Sequence, residues 1–475
     1  MRSFCFASLG AFLVEGTTAA LIYSQNDTFN SSFTLTAAQK TAANLTAEEA
    51  HNVEVALQWE QSNYAGGSVR DDAFYDVPDD FDQENPPPPG TLLKLELFTN
   101  LSLYTIPPSL TMSRFLYTTE TLNGTSIPSS AYILWPYTPR AFNNLTSCSG
   151  NGSAVFPLVG LAHGTSGQTP ECAPSHIRNL YDEFHEPFPL ALAGYAVVAP
   201  DYLGLGVSRY PTPYFVLPSQ ANDLAYAIAA AQEAFPNTLS KEFVAMGQSQ
   251  GGGVAWSFAQ RQADRPMAGY LGTVAVSPFT DILADITADP IAENSARVAG
   301  IAQELDSVLP SFQLSDWLTD AAIARRSLLH DIGGCQVTGG YLFSSDTPFL
   351  KDGWNETEAA VWYSNTSDNG NRTFAGPMLV MQGDSDGNAN VHVTNKTVDA
   401  TCQYFPESTL QYVQYTGIGH VPALYAQQYR WLQWIADRFS GVPVPVGCVK
   451  EVVNPVRGTA GAQQNWFIEY DEYGV

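Results

Sequence analysis

One short stretch has the residue types and spacing for nucleophilic catalysis, Gly247-Gln248-Ser249-Gln250-Gly251. An apolar run precedes it and a helix-compatible run at 254–260 follows it, as a strand-turn-helix nucleophile elbow requires. The serine of such an elbow lies on a sharp turn, so the residues two positions away on either side must be small, and both are glycine here. The helix start behind Ser249 presents the backbone N–H of Gln250 to an oxyanion. Because a five-residue pattern also occurs by chance, the prediction depends on partners elsewhere in the chain.

Two later loops supply the base and the acid that a nucleophilic serine needs. A predicted strand at 378–382 leads into Asp384 and Asp386, and a later predicted strand leads into His420. This is the order Ser, Asp, His that an α/β-hydrolase uses. We assign His420 as the general base and Asp386 as the acid that orients it, since Asp386 follows the strand-ending glycine by three residues. Asp384 is the alternative acid. We expect the His420 ring to lie within hydrogen-bond reach of Ser249 and of one aspartate.

A second oxyanion donor usually comes from the loop after an earlier strand. The stretch 162–167, Ala-His-Gly-Thr-Ser-Gly, follows such a strand, and its glycines allow backbone N–H groups to turn inward. We assign the Thr165 N–H as the second donor beside the Gln250 N–H, with Gly164 as the alternative. His163 is interpreted as a support of this loop.

The elements that must position these residues follow an α/β pattern. Short apolar runs alternate with helix-compatible runs from residue 154 to 276 and again after 376. This alternation predicts βαβ units, with a mostly parallel sheet covered by helices on both faces. The predicted core comprises residues 91–276 and 377–450, followed by a C-terminal tail at 451–475.

The alternation stops at residues 277–376, where helices are predicted at 291–309 and 314–329. Because this insertion lies between two core strands, we predict that it is a helical cap over the site. A structural appendage is the alternative.

The N-terminal region has two parts. Residues 1–20 combine a basic start, an apolar run at 4–14 and small residues at 18–20, which predicts a secretory signal peptide. Residues 21–90 form an extension in which Thr46 and Glu49 make a capping box for a helix that follows. The acidic and proline-rich end of this extension predicts a solvated linker, with a pro-segment or a packed arm as alternatives.

Glycosylation sequons agree with secretion to the extracellular space. Eleven Asn-x-Ser/Thr sequons follow the predicted signal peptide, a number that favours a eukaryotic glycoprotein. They are Asn26, Asn30, Asn44, Asn100, Asn123, Asn144, Asn151, Asn355, Asn365, Asn371 and Asn395.

Composition excludes several partners. The formal net charge of −26 would repel nucleic acid and anionic membranes. No stretch reaches the roughly 18 apolar residues of a membrane span, so we expect no transmembrane anchor. No Cys/His cluster has zinc spacing, and we expect neither a metal nor a cofactor. The expected partner is a small-molecule or lipid ester, and the oligomeric state is not indicated.

The chain resembles the secretory lipase family of the α/β-hydrolases, the family of the yeast lipase A type, from residue 92 to residue 448. The resemblance implies a carboxylic ester hydrolase, often a lipase, with a helical cap between the sixth and seventh core strands. The long acidic extension departs from the family pattern. The motifs that carry the resemblance are Arg114-Phe115-Leu116-Tyr117-Thr118-Thr119, His163-Gly164-Thr165-Ser166-Gly167, Cys172-Ala173-Pro174-Ser175, Pro200-Asp201-Tyr202-Leu203-Gly204-Leu205-Gly206, Gly247-Gln248-Ser249-Gln250-Gly251-Gly252 and Gly419-His420.

Five cysteines follow the predicted signal peptide, so they cannot all pair within one chain. Cys148 and Cys172 are unfavourable partners, because a strand of about nine residues between them would separate its ends by roughly 30 Å. The residues alone leave other pairings open. We favour Cys172–Cys335 and Cys402–Cys448, with Cys148 free, and the family resemblance supports this pairing.

The sequence therefore predicts a secreted serine esterase or lipase, triacylglycerol lipase-like in substrate, that forms an acyl-enzyme. A serine peptidase with the same triad and a catalytically silent binding protein are the alternatives. Acyl-chain length, alcohol group and interfacial activation are not indicated by the residues.

Overall fold

A computed structural model of the chain describes residues 32–143, 145–147, 155–288, 292–345 and 347–454. Several predictions fall outside these residues. They are the signal peptide, the sequons at Asn26, Asn30, Asn144 and Asn151, the free Cys148, and the tail beyond residue 454.

Within the described residues the chain forms ten β-strands and thirteen α-helices. The strands are β1 (Leu92–Glu96), β2 (Leu110–Glu120), β3 (Ser126–Pro136), β4 (Phe156–Ala162), β5 (Ala196–Pro200), β6 (Leu239–Gln248), β7 (Tyr270–Val276), β8 (Met378–Gly383), β9 (Leu410–Tyr415) and β10 (Cys448–Val453). The helices are α1 (Ala37–Ala42), α2 (Ala47–Ser62), α3 (Pro187–Leu192), α4 (Leu217–Ala234), α5 (Gln250–Asp264), α6 (Ile282–Ala288), α7 (Ala292–Val308), α8 (Leu314–Trp317), α9 (Asp320–Ile332), α10 (Gln336–Phe343), α11 (Glu358–Ser367), α12 (Val391–Tyr404) and α13 (Pro422–Phe439).

All ten strands join one sheet in the order β1-β2-β3-β5-β4-β6-β7-β8-β9-β10. The pairs β1/β2, β2/β3 and β3/β5 are antiparallel, and the remaining pairs are parallel. The predicted α/β-hydrolase fold with a mostly parallel sheet is confirmed. Because β4, β6, β8 and β9 are parallel, the loops that follow them meet at one edge of the sheet.

Helices cover both faces of this sheet, as the buried runs in its central strands require. In β6, Phe243 and Ala245 pack in one hydrophobic cluster with α4 and α5. Val244 and Met246 alternate with them and pack on the other face with α3 and α13. Because successive side chains of a strand point to opposite faces, β6 contributes to the hydrophobic clusters on both sides of the sheet.

The insertion between β7 and β8 contains the helices α6 to α11. The single helix predicted at 314–329 is two helices, α8 and α9, because Thr319 accepts a hydrogen bond from the Ala322 N–H and starts a new helix there. The predicted core boundary at residue 450 is also too early. Strand β10 continues to Val453 and pairs in parallel with β9.

Both favoured disulfides are present. Cys172–Cys335 joins the segment after β4 to the residue that precedes α10 in the insertion. Cys402–Cys448 joins α12 to the edge strand β10. Only the first of them links the insertion to the core.

The acidic end of the extension, predicted to be a solvated linker, differs from that prediction in its first residues. We call residues 32–77 the N-terminal arm. Its helix α2 begins after the predicted capping box, and its later residues pack onto the core: Phe74 and Tyr75 are buried, and Asp72 forms a 2.7 Å ion pair with Arg114. The acidic residues Asp79, Asp80, Asp82 and Glu84 are exposed. The linker prediction is therefore wrong for residues 71–77, where buried aromatic side chains alternate with carboxylates and the alternative of a packed arm applies.

Candidate active site

Ser249 occupies the strained turn that the elbow motif predicts. It lies between β6 and α5 with φ 60° and ψ −124°, a conformation that a non-glycine residue rarely adopts. A Cβ on Gly251 would lie 1.9 Å from the Ala162 carbonyl oxygen, and one on Gly247 would lie 2.3 Å from the Gly251 oxygen. The two glycines are therefore required by close backbone packing around the serine. The Ser249 N–H donates to the Val276 carbonyl over 3.0 Å, which ties the turn to β7.

His420 and Asp386 are brought together by the loops after β9 and β8. The His420 Nδ1 lies 2.8 Å from the Asp386 Oδ2, so this carboxylate can hold the tautomer that leaves Nε2 free to accept a proton. The Asp386 side chain is buried, and the Gln382 Nε2 donates to its Oδ2 over 2.9 Å. The alternative Asp384 instead accepts the Gly417 N–H over 2.6 Å.

Ser249 and His420 lie at the same edge of the sheet without the expected hydrogen bond. Both residues are described, and no hydrogen bond joins the Ser249 Oγ to the His420 ring. Catalytic hydrogen bonds of this kind are often long in ligand-free enzymes and shorten when substrate binds. The His420 carbonyl accepts a 3.2 Å hydrogen bond from the Ser277 Oγ, and the Phe279 ring lies 6.3 Å from the imidazole.

The two predicted oxyanion donors adjoin each other. The Thr165 Oγ1 donates to the Gln250 Oε1 over 2.8 Å, which connects the loop after β4 with the start of α5. Among the described residues neither the Thr165 N–H nor the Gln250 N–H has a hydrogen-bond partner. The alternative donor, the Gly164 N–H, is occupied by the Asp182 Oδ2 at 3.0 Å. The geometry thus favours Thr165 over Gly164.

His163 has the surroundings of a support residue. It is buried, its Nδ1 lies 2.6 Å from the Gly164 carbonyl, and its ring stacks on Tyr202 at 4.0 Å. Burial lowers the pKa of His163, which keeps the imidazole neutral.

Sequence reasoning missed the side chains that hold the oxyanion loop, residues 163–167. The Tyr181 hydroxyl is in hydrogen-bond contact with the Thr165 carbonyl and with the Gln336 side-chain amide. Asp182 holds the Gly164 N–H, as described above. No motif in the sequence marks Tyr181, Asp182 or Gln336, since their relation to the loop arises only in the folded chain.

A cavity of about 420 Å³, within the usual range of small-molecule sites, lies between the loop after β5 and the helices α7 and α9. Its wall includes Gln168, one residue beyond the oxyanion loop, together with Tyr214, Gly300 and Arg326. The cavity therefore adjoins the loop from the side of the insertion.

The described residues also bear on metal binding and on membrane crossing. In the described part of the chain, no group of three or more His, Cys, Asp or Glu residues is arranged to hold a metal ion. Over the same residues, no helix is both long enough and apolar enough to cross a bilayer.

The fold and the strand-turn-helix serine define an α/β-hydrolase. A model of the alpha/beta hydrolase family matches residues 161–432, more than half of the chain, and the chain belongs to this family. No curated protein matches the chain.

Several solved structures share the fold. The structure of Candida antarctica lipase A aligns with a TM-score of 0.64 at 14% identity, covering 83% of this chain and 91% of that one. Its closed state aligns with a TM-score of 0.61 at 15% identity, covering 81% and 89%. The rice cell wall degrading esterase LipA from Xanthomonas oryzae aligns with a TM-score of 0.57 at 18% identity, covering 74% and 98%. At these identities the likeness concerns the fold alone.

Proposed function

We propose that the chain is a secreted serine carboxylic ester hydrolase that acts through Ser249, His420 and Asp386. The observation that carries the proposal is the 2.8 Å contact between His420 and Asp386 at the sheet edge where Ser249 occupies its strained turn. The names of the similar structures, a lipase and an esterase, support the same chemistry. Two disulfides are typical of an oxidising, extracellular route and support secretion.

In the proposed mechanism the Ser249 Oγ attacks the acyl carbonyl while the His420 Nε2 takes its proton. Asp386 keeps the Nδ1–H in place and stabilises the imidazolium that forms. The Gln250 and Thr165 N–H groups donate to the oxyanion of the tetrahedral intermediate. The imidazolium then protonates the leaving alcohol, and a water activated by His420 releases the acid from the acyl-enzyme.

Gln250 is the first residue of α5, so its N–H has no partner within the helix and is available to an oxyanion beside the unpaired N–H of Thr165. A buried N–H without a partner is costly, so its retention in a folded chain is typical of a group that binds a transient charge. The cavity next to Gln168 offers room for the part of the ester remote from the reacting carbonyl. We propose that a lipophilic ester is bound between the core and the insertion, which acts as a cap.

The test is hydrolysis of nitrophenyl esters of graded chain length by protein collected from the medium after expression behind its own residues 1–20. Ser249→Ala should lower kcat/KM by at least about 10⁴-fold, because the nucleophile is removed. The matched control is Ser385→Ala, which removes an exposed serine on the loop that carries Asp386. A fluorophosphonate should label the wild type at Ser249 and leave the Ser249→Ala variant unlabelled.

Other outcomes assign the chain differently. Full activity in Ser249→Ala would refute the mechanism. Cleavage of aminoacyl amides with no activity on any ester would identify a peptidase. Absence of both activity and labelling would identify a binding protein, and protein retained inside the cell would contradict secretion.

A further inference from the structure

The N-terminal arm holds the short cap helix α10 at both of its ends. At the start of α10, the buried Glu60 carboxylate accepts the Cys335 N–H over 2.8 Å and the Thr338 N–H over 3.0 Å. At its end, Arg325 donates to the Leu342 carbonyl over 2.6 Å and pairs with Glu49 of the arm at 2.7 Å. A helix of eight residues is not stable by itself in water, so the position of α10 depends on such tertiary contacts.

The first residue of α10 contacts the oxyanion loop directly. The Gln336 N–H donates to the Ser166 carbonyl over 3.1 Å. The Gln336 side-chain amide meets the Tyr181 hydroxyl, which also meets the Thr165 carbonyl. Because a hydroxyl has a single proton, Tyr181 donates it to Thr165 and accepts from the Gln336 NH₂ group, with the amide turned accordingly. The peptide group between Thr165 and Ser166 is thereby held in place by α10 of the insertion.

A covalent bond reinforces the same connection. Cys335, adjacent to Gln336, is bonded to Cys172, and the oxyanion loop packs against this disulfide. A Cβ on Gly167 would lie 2.4 Å from the Cys172 Sγ. The end of the loop therefore has no room to move while the disulfide and α10 keep their places.

The turn that carries Tyr181 is strained. Leu180, Tyr181 and Glu183 have φ values of 59°, 65° and 24°, which non-glycine residues rarely adopt. A residue in such a conformation persists only where its surroundings enforce it. The contact of Tyr181 with both the loop and α10 is one of the interactions that hold this turn.

We propose that the N-terminal arm is an intramolecular strut that sets the oxyanion loop through α10, with Glu60, Gln336 and Tyr181 as positioning residues for the Thr165 N–H. The inference rests on the proposed function, because it takes Thr165 as an oxyanion donor. It assigns a catalytic purpose to a segment that lies outside the α/β core. In the described contacts, none of the three side chains touches Ser249.

The experiment compares Tyr181→Phe and Glu60→Gln with the wild type. Tyr226→Phe is the matched control, since its hydroxyl donates to Glu120 on a surface remote from the loop. Active sites are titrated with a phosphonate, so kcat is obtained per reactive serine. A trifluoromethyl ketone, which forms a tetrahedral oxyanion on the serine, reports the strength of the oxyanion hole separately from folding.

We expect Tyr181→Phe to lower kcat per titrated site about 10-fold with KM nearly unchanged, since loss of a whole oxyanion donor costs 10²–10³-fold. The affinity for the ketone should fall by the same factor, and Tyr226→Phe should change neither. Glu60→Gln should act in the same direction more weakly. In the double variant Gln336→Ala/Tyr181→Phe, the loss of kcat expressed as a free energy should be smaller than the sum of the two single losses, because both variants break one connection.

Unchanged kcat and ketone affinity in Tyr181→Phe would overturn the proposal, even if the melting temperature fell. If Glu60→Gln fails to fold, the kcat and the ketone affinity of Tyr181→Phe and Gln336→Ala decide whether the proposal holds. A wild type that neither hydrolyses esters nor reacts with the phosphonate refutes the proposed function, and it refutes the proposed role of the arm as well. An active, titratable wild type with unaffected variants refutes the strut alone.

Discussion

The turn that holds Asp386 and the oxyanion loop are kept in place in opposite ways. Asp386 is held almost entirely by its neighbours in sequence: its Oδ1 accepts the N–H groups of Asn388 and Ala389 at 2.9 Å, and Gln382 lies four residues before it. The oxyanion loop is held from remote segments, by Asp182 and Tyr181 on one strained turn and by Gln336 in the insertion.

This difference indicates how each half of the site should respond to change. A locally held carboxylate needs only its own turn and the strand before it, so distant variants should leave it intact. A loop held from several segments should lose its geometry whenever one of those segments moves. Variants placed far from both halves should therefore change the oxyanion loop and leave the Asp386 turn unchanged.

The largest expected effect tests the local half. Asp386→Asn should lower kcat/KM by about 10⁴-fold, because the amide favours the imidazole tautomer that cannot take the serine proton. Asp384→Asn, two residues away, should cost less than about 10-fold, since its contacts are with Gly417 and Ser385 rather than with His420. Steady-state ester kinetics measure both. A larger loss in Asp384→Asn than in Asp386→Asn would reverse the assignment of the acid.

An intermediate effect tests the remote half through the two disulfides. Replacing Cys172 and Cys335 by serine should lower kcat per titrated site several-fold as well as stability, because this disulfide adjoins the oxyanion loop. Replacing Cys402 and Cys448 should cost about 2–4 kcal/mol of stability and leave kcat unchanged, since it releases only the edge strand β10. Thermal unfolding and active-site titration separate the two quantities. Equal kcat values in both double variants would show that the loop does not depend on its remote contacts.

The smallest effect concerns buried carboxyls that belong to neither half. Burial raises the pKa of Asp223 and of Glu304 to about 7. Between pH 4.5 and 7 the folded chain therefore keeps protons that the unfolded chain has released, so the free energy of unfolding falls as pH rises through this range. Burial also lowers the pKa of His163 and, to about 4, that of His176, and both act in the opposite sense up to pH 6.5, so they offset part of this decrease.

Thermal unfolding measured from pH 5 to 7.5 should show this decrease as a melting temperature that falls by several degrees. Glu304→Gln should flatten the slope, because the amide resembles the protonated carboxyl at every pH. A slope unchanged by Glu304→Gln would mean that this carboxyl is already ionised in the folded protein.

Features read over a few adjacent residues were predictable. The elbow glycines, the Asp386 turn and the Thr46–Glu49 capping box each depend on backbone contacts within about four residues, a distance over which sequence spacing determines geometry. The alternation of apolar and helical runs predicted the parallel sheet, and with it the meeting of the loops after β6, β8 and β9 at one edge.

Features that depend on contacts between distant segments were not predictable. The acidic composition of residues 71–84 indicated a linker, yet Tyr75 within it is buried and hydrogen-bonded to Ser175. Strand β10 carries exposed side chains on most of its positions, so no apolar pattern marked it, and its pairing with β9 alone defines it.

By itself, the sequence determined the strand-turn-helix serine, the order of the candidate triad and the class of the fold, because these follow from local spacing and periodicity. Only the tertiary structure decided that Asp386 rather than Asp384 meets His420, that Asp182 occupies the Gly164 N–H, and that the arm reaches α10. These outcomes depend on which buried polar groups find partners across the folded chain, and that pairing has no counterpart in sequence spacing.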